Sequence, residues 1–142
     1  MKLLLPTDGS EASVHAIRFL LANRHWFQPP LEFHLLNIRQ PVRGDVGRFV
    51  AQEQLRSYHH EEGMKALTPA RTALDEAGVS YSVHCSVGDD AGLLVARFAR
   101  EQQMDLIVMG RKGQSAVAGI LIGSVAATVS RVATVPVMLV GE

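Results

Sequence analysis

Short apolar runs alternate with longer amphipathic ones along the chain. "KLLLPTDGS" (2–10) predicts a buried strand ending in a turn, with Ser10 placed to cap a helix over 11–24. Val14, Ile17, Leu20 and Leu21 recur there at helical spacing and predict the face that meets a sheet. "LEFHLLNI" (31–38) predicts a second strand, followed by a loop with Pro and Gly over 39–47. Residues 48–77 are helical in character, with Gly78 as the stop. Gly63 and Pro69 fall inside that segment and predict a kink or break near Thr68-Pro69. Residues 79–87 alternate, with Val79, Tyr81, Val83, Cys85 and Val87 on one face and Ser80, Ser82, His84 and Ser86 on the other. Asp89 or Asp90 then caps a helix to about Gln103, whose apolar side is Leu93, Leu94, Val95 and Phe98. A fourth strand (105–110), a last helix (124–133) and a fifth strand (135–140) complete the pattern.

Strict alternation of strand and helix predicts βαβ units and a parallel sheet covered on both faces, a three-layer α/β/α fold. Leu3–Leu5 and Leu106–Met109 are apolar throughout, as central strands are. The third strand's alternation suits a position with one face partly wet. Pro136 lacks a ladder donor, which confines the fifth strand to an edge or Pro136 to its start. The expected strand order is 3-2-1-4-5, in a single domain over 1–142.

Composition narrows the function classes. Lysine plus arginine and aspartate plus glutamate number 14 each among 142 residues, so no global field favours nucleic acid or an anionic membrane. Cys85 is the single cysteine, which removes an intrachain disulfide and any multi-cysteine metal site. No apolar run reaches bilayer length, and the N-terminus carries no targeting signature, so a cytoplasmic protein without a membrane partner is the expectation.

Ligands of such sheets bind beyond the carboxyl ends of strands, where neighbouring connections leave toward opposite faces. The expected order puts that crevice between strand one, ending at Pro6-Thr7-Asp8-Gly9, and strand four, ending at Met109-Gly110. From there runs "MGRKGQSAVAGILIGSVA" (109–126), holding four of the chain's twelve glycines. The order Gly110-x2-Gly113-x9-Gly123-Ser124 suits anion capture. Glycines let backbone N–H groups approach an oxyanion, and a helix N-terminus adds unpaired donors and positive potential. Arg111 and Lys112 add charge if they turn inward, and Ala116–Ile122 are expected to pack the loop back onto the protein. Neither GxxxxGK[ST] nor GxGxxG is present. Asp8-Gly9-Ser10 also has a purely local reading as turn and cap chemistry. His59-His60-Glu61-Glu62 reads as a solvated helix face, because adjacent helical residues diverge. No catalytic triad, general-base pair or metal cluster follows from spacing.

The glycine pattern, together with "LLLPTDGS", "DLIVMGRKG", "GSVAATV" and "VPVMLV", resembles the universal stress protein family in its ATP-binding branch, almost end to end. The resemblance implies five parallel strands binding ATP or a related nucleotide, AMP or ADP. By matching position, Pro6 joins the site at the end of strand one, where Thr7 and Asp8 line the adenine and ribose region. Ile38 packs on the base. Met109 and Gly110 border the ribose and phosphates, Gly113, Gly123, Ser124 and Val125 cradle the phosphate tail, and Arg111 stands beside them. The resemblance also implies a homodimer through Val135, Pro136, Val137, Met138, Leu139 and Val140, and a stress-response role in which nucleotide occupancy changes stability or partner affinity. Ala118-Gly119 depart from the family, which often carries a basic residue there. The alternatives are a dimeric interaction protein without nucleotide and a slow ATP hydrolase, which would need a placed water and Mg²⁺.

Overall fold

β1 (Lys2–Pro6) lies at the centre of the sheet, and Leu3, Leu4 and Leu5 are fully buried because both of its faces are covered. The computed structural model describes residues 1–42, 51–113 and 117–142. After β1 come α1 (Glu11–Ala22), a single 3₁₀ turn (Arg24–Trp26), β2 (Glu32–Arg39), α2 (Gln52–Glu76) and β3 (Tyr81–Val87). Then follow α3 (Ala91–Glu101), β4 (Leu106–Gly110), α4 (Ser124–Val132) and β5 (Val137–Val140). The five strands are all parallel in the order β3-β2-β1-β4-β5, as the alternation and the apolar runs of β1 and β4 predict.

Alternate residues of each strand serve two cores. Leu3, Leu5, Phe33, Leu35, Leu106 and Val108 face α1 and α2, meeting Ile17, Leu20, Leu67 and Leu74. Leu4, Leu36, Ile107 and Met109 face the other layer, where Val95 and Ala99 of α3 and Ala126 and Val129 of α4 cover them. The first two connections lie on one face and the last two on the other. The reversal falls between β1 and β4, opening a crevice at their carboxyl ends.

Several expectations change. α2 runs unbroken through Pro69. An internal proline costs about 3 kcal/mol, but Leu67 and Leu74, on either side of it, are both fully buried. At about 1.5–3 kcal/mol each, their burial outweighs it. Thr68 and Thr72 also donate their hydroxyls to the carbonyls of Met64 and Thr68, both at 3.0 Å. The expected start of this helix at Arg48 lies outside the described residues. His59 is buried, not solvated: it projects inward on the same helix as Gly63 and Leu67, also buried. In α3 the buried row is Gly92, Val95, Ala96 and Ala99, while Leu93 is turned outward. These small residues at helical spacing let α3 lie close to the sheet and α4. β3 begins at Tyr81, leaving Val79 before it, and Val87 is exposed at its end. Ser10 and Asp90 cap α1 and α3, accepting from the backbone N–H groups of Ser13 and Leu93.

Candidate functional site

The end of β1 is fixed by a local network. Thr7 is buried, its hydroxyl sharing a hydrogen bond with that of Ser13 at 2.8 Å, and its carbonyl accepts from Asn37 Nδ2 at 2.8 Å. Asp8 Oδ1 accepts from the Ser10 N–H at 2.9 Å, so the local turn reading of Asp8-Gly9-Ser10 holds. The same aspartate also lines a cavity, so the two readings coexist.

That cavity has a volume of about 310 Å³ and lies at the carboxyl ends of β1 and β4. β4 delivers Met109 and Gly110 to it, and two close approaches explain glycines there. A Cβ on Gly110 would stand 2.8 Å from the Ala12 carbonyl oxygen, and one on Gly113 would stand 2.8 Å from Asp8 Oδ2. A side chain at Gly110 would press on the backbone of α1, whereas one at Gly113 would displace the Asp8 carboxylate.

α4 supplies the third wall. Its N-cap, Gly123, has no side chain to satisfy the first turn, and its own N–H donates to the Arg111 carbonyl at 2.8 Å. α1 and α3 are capped by side chains, whereas the first three residues of α4, Ser124, Val125 and Ala126, all line the cavity. Backbone donors of a first turn have no partner within their helix, and they stand at its positive end. The arrangement suits an anion held beside Gly113.

Of the residues expected at the site, Pro6, Thr7, Asp8, Ile38, Met109, Gly110, Gly113, Gly123, Ser124 and Val125 all line this cavity. Arg111 does not. Its guanidinium packs where Gly141 passes, a Cβ there standing 3.4 Å from Cζ, and its buried Nε has no hydrogen-bond partner. Lys112 lines the cavity instead. Residues that the motif did not single out are Ser13, Leu36, Ala91, Val95, Val117, Ile120 and Ala126. Leu36 was legible as the residue two before Ile38 on the same strand face. Ser13 and Ala91 come from helix starts whose approach depends on packing. The loop does not pack back as expected. Val117, Ile120, Leu121 and Ile122 are exposed, Leu121 by 71%, while Ala116 lies outside the described residues.

Elsewhere, His34 Nδ1 and His84 Nε2 are 3.1 Å apart across β2 and β3, and His84 packs on Phe98. The ring centres are 5.4 Å apart with planes inclined by 16°, so the rings meet nearly end to end through these two nitrogens. Burial, then the neighbouring His34, pushes the His84 pKa down. Burial pushes the Cys85 thiol up, toward the inert, protonated form.

The universal stress protein family model matches residues 1–141. The chain belongs to the universal stress protein family. It is similar to universal stress protein MJ0531 of Methanocaldococcus jannaschii, 32% identical over 145 aligned residues covering 98% of this chain and 81% of that protein. Among solved structures, hypothetical protein MJ0577 superposes with a TM-score of 0.81 at 26% identity, covering 99% of this chain and 95% of that one. A universal stress protein solved in complex with cAMP superposes with a TM-score of 0.66 at 25% identity, covering 99% of this chain and 96% of that one. The five-stranded order described above is therefore the universal stress protein fold, and its crevice falls where the chain reverses direction across the sheet.

Proposed function

We propose that this universal stress protein binds an adenine nucleotide in the crevice between β1 and β4. The observation that carries the reading is the uncapped start of α4 opening, with Gly113, into a cavity of about 310 Å³. The relative solved with cAMP supports the adenine class. In this reading Ile38 and Val95 receive the base, Thr7 and Asp8 the ribose side, and Gly113, Ser124 and Val125 the phosphate. ATP, ADP and AMP are the candidate ligands. Equilibrium dialysis or thermal-shift titration with each tests the reading. Binding that Gly113→Val abolishes is expected, and no response to any nucleotide overturns it.

The role is binding rather than turnover. Asp8 already accepts a backbone hydrogen bond and acts as an acceptor for ligand groups. Phosphate release at saturating ATP and Mg²⁺ should stay below about one turnover per minute, far under the ~1–10³ s⁻¹ of ordinary enzymes. Faster release would favour a hydrolase. The stress-response role is a shift in stability or partner affinity with nucleotide occupancy, in a cytoplasmic homodimer. β5 supports the dimer: it is an edge strand, and Val137, Met138 and Leu139 are only partly buried. An apolar edge with an unpaired ladder invites a second copy.

A further inference from the structure

We infer that Asn37 is a positioning residue: from behind the site it fixes the point at which the chain leaves β1, and so aims Thr7 and Asp8 at the ligand. The inference rests on the nucleotide reading above and adds to it a residue that does not touch the cavity. Asn37 is 2% exposed and projects from the face of β2 that carries Phe33 and Leu35, toward α2. Leu36 and Ile38, on the other face of the strand, line the cavity, and Asn37 does not. On a buried face of this kind an apolar side chain is the expected choice, and an amide is costly unless its polar atoms are paired.

Half of the Asn37 amide is paired. Nδ2 donates to the Thr7 carbonyl at 2.8 Å, a partner that only a donor can meet, so Oδ1 points away from it. Oδ1 is buried without a hydrogen-bond partner, and α2 closes over it at Gly63, where a Cβ would stand 3.4 Å from Oδ1. A buried oxygen without a partner opposes folding, so stability alone favours an apolar residue here. What the amide accomplishes is local. β1 pairs with β2 as far as Pro6 and Leu36, and the Thr7 N–H adds one more bond, to the Leu36 carbonyl at 2.9 Å. Thr7 is thus gripped three times: through its N–H, through its carbonyl by Asn37, and through its hydroxyl by Ser13 at 2.8 Å. That hydroxyl in turn accepts from the Gly9 N–H at 3.2 Å. The Thr7 carbonyl belongs to the peptide plane that joins Thr7 to Asp8. Releasing it frees that plane to turn, and with it the direction of the Asp8 carboxylate.

The test is calorimetric titration of the full chain with adenosine and AMP, on native protein, Asn37→Leu and Asn37→Ala, beside thermal melts without ligand. Asn37→Leu removes the donor and the unsatisfied oxygen together. Its melting midpoint should stay near the native one while both ligands bind about tenfold more weakly. The ratio of AMP to adenosine affinity should not change, because Gly113 and the start of α4 are left as they were. Asn37→Ala removes the donor without added bulk and should weaken both ligands alike. Amide hydrogen exchange separates a local effect from a general one. In either variant the Gly9 and Ser10 N–H groups should exchange faster while those of Leu4 and Leu5 stay protected. Native affinity in both variants overturns the inference and leaves the nucleotide reading standing. Weaker binding with exchange raised equally at Leu4 and Gly9 also overturns it, since the role is then structural alone. Failure of native protein to bind either ligand overturns the nucleotide reading itself.

Discussion

Single residues in this fold carry both local and long-range demands, and Gly113 and His84 show the two cases. A side chain at Gly113 would meet the Asp8 carboxylate from across the crevice. Gly113→Ala should therefore weaken nucleotide binding by at least tenfold, on the order of 1.4 kcal/mol, while shifting the unfolding midpoint little. Titration and thermal melts on the same sample check this, and unaltered affinity would remove Gly113 from the site. For His84 the prediction concerns pH. Burial and His34 disfavour its charged form, so its folded pKa lies below the ordinary value of 6.5. Between those pKa values the unfolded chain binds more protons, so stability rises with pH. The contribution is complete above about pH 6.5 and is lost as pH falls through the folded value. Urea midpoints at pH 5 and 7.5 should differ more for native protein than for His84→Gln. Equal differences would show that the pair does not couple to folding.

At the scale of elements, helix packing outweighs local propensity in two places. Pro69 sits inside α2 because buried leucines hold the helix on both sides of it. Gly92 sits in the first turn of α3 because α4 lies close: a Cβ there would stand 2.5 Å from Thr128 Cβ. Alanine is favoured over glycine in helices by up to about 1 kcal/mol. Overpacking costs typically 1–3 kcal/mol, so Gly92→Ala is expected to destabilise by roughly 1–2 kcal/mol net. A urea midpoint at or above that of native protein would show that α3 shifts freely. Since α4 also forms the cavity wall, the same substitution tests how far nucleotide affinity depends on the α3–α4 contact.

For the whole molecule the open question is what covers the apolar surface at the β5 side. The proposed dimer predicts a two-chain species in sedimentation equilibrium. Leu139→Lys should shift it toward monomer while far-UV circular dichroism stays native. A dimer unchanged by that substitution would place the interface elsewhere. The exposed run Val117, Ile120, Leu121 and Ile122 adds to the apolar surface of the described residues.

Local chemistry made much of this legible in sequence. Uninterrupted apolar runs named β1 and β4 as central strands, since only strands covered on both faces tolerate them. Pro136 confined β5 to an edge or itself to the strand's start, and β5 is an edge strand that begins at Val137. Ser10 announced a cap, and the glycine spacing with Asp8 pointed to the crevice, because turns, caps and close approaches act over a few residues. What depends on which distant segments meet was not legible. The His34–His84 bond joins residues 50 positions apart. The inward face of His59 and the outward turn of Leu93 follow from how the helices rotate against the sheet. Sequence offered Arg111 and Lys112 as cations that could turn inward, and the family resemblance placed Arg111 at the site. Tertiary structure alone separated them, because β5 and Gly141 claim the space beside one and leave the other facing the cavity.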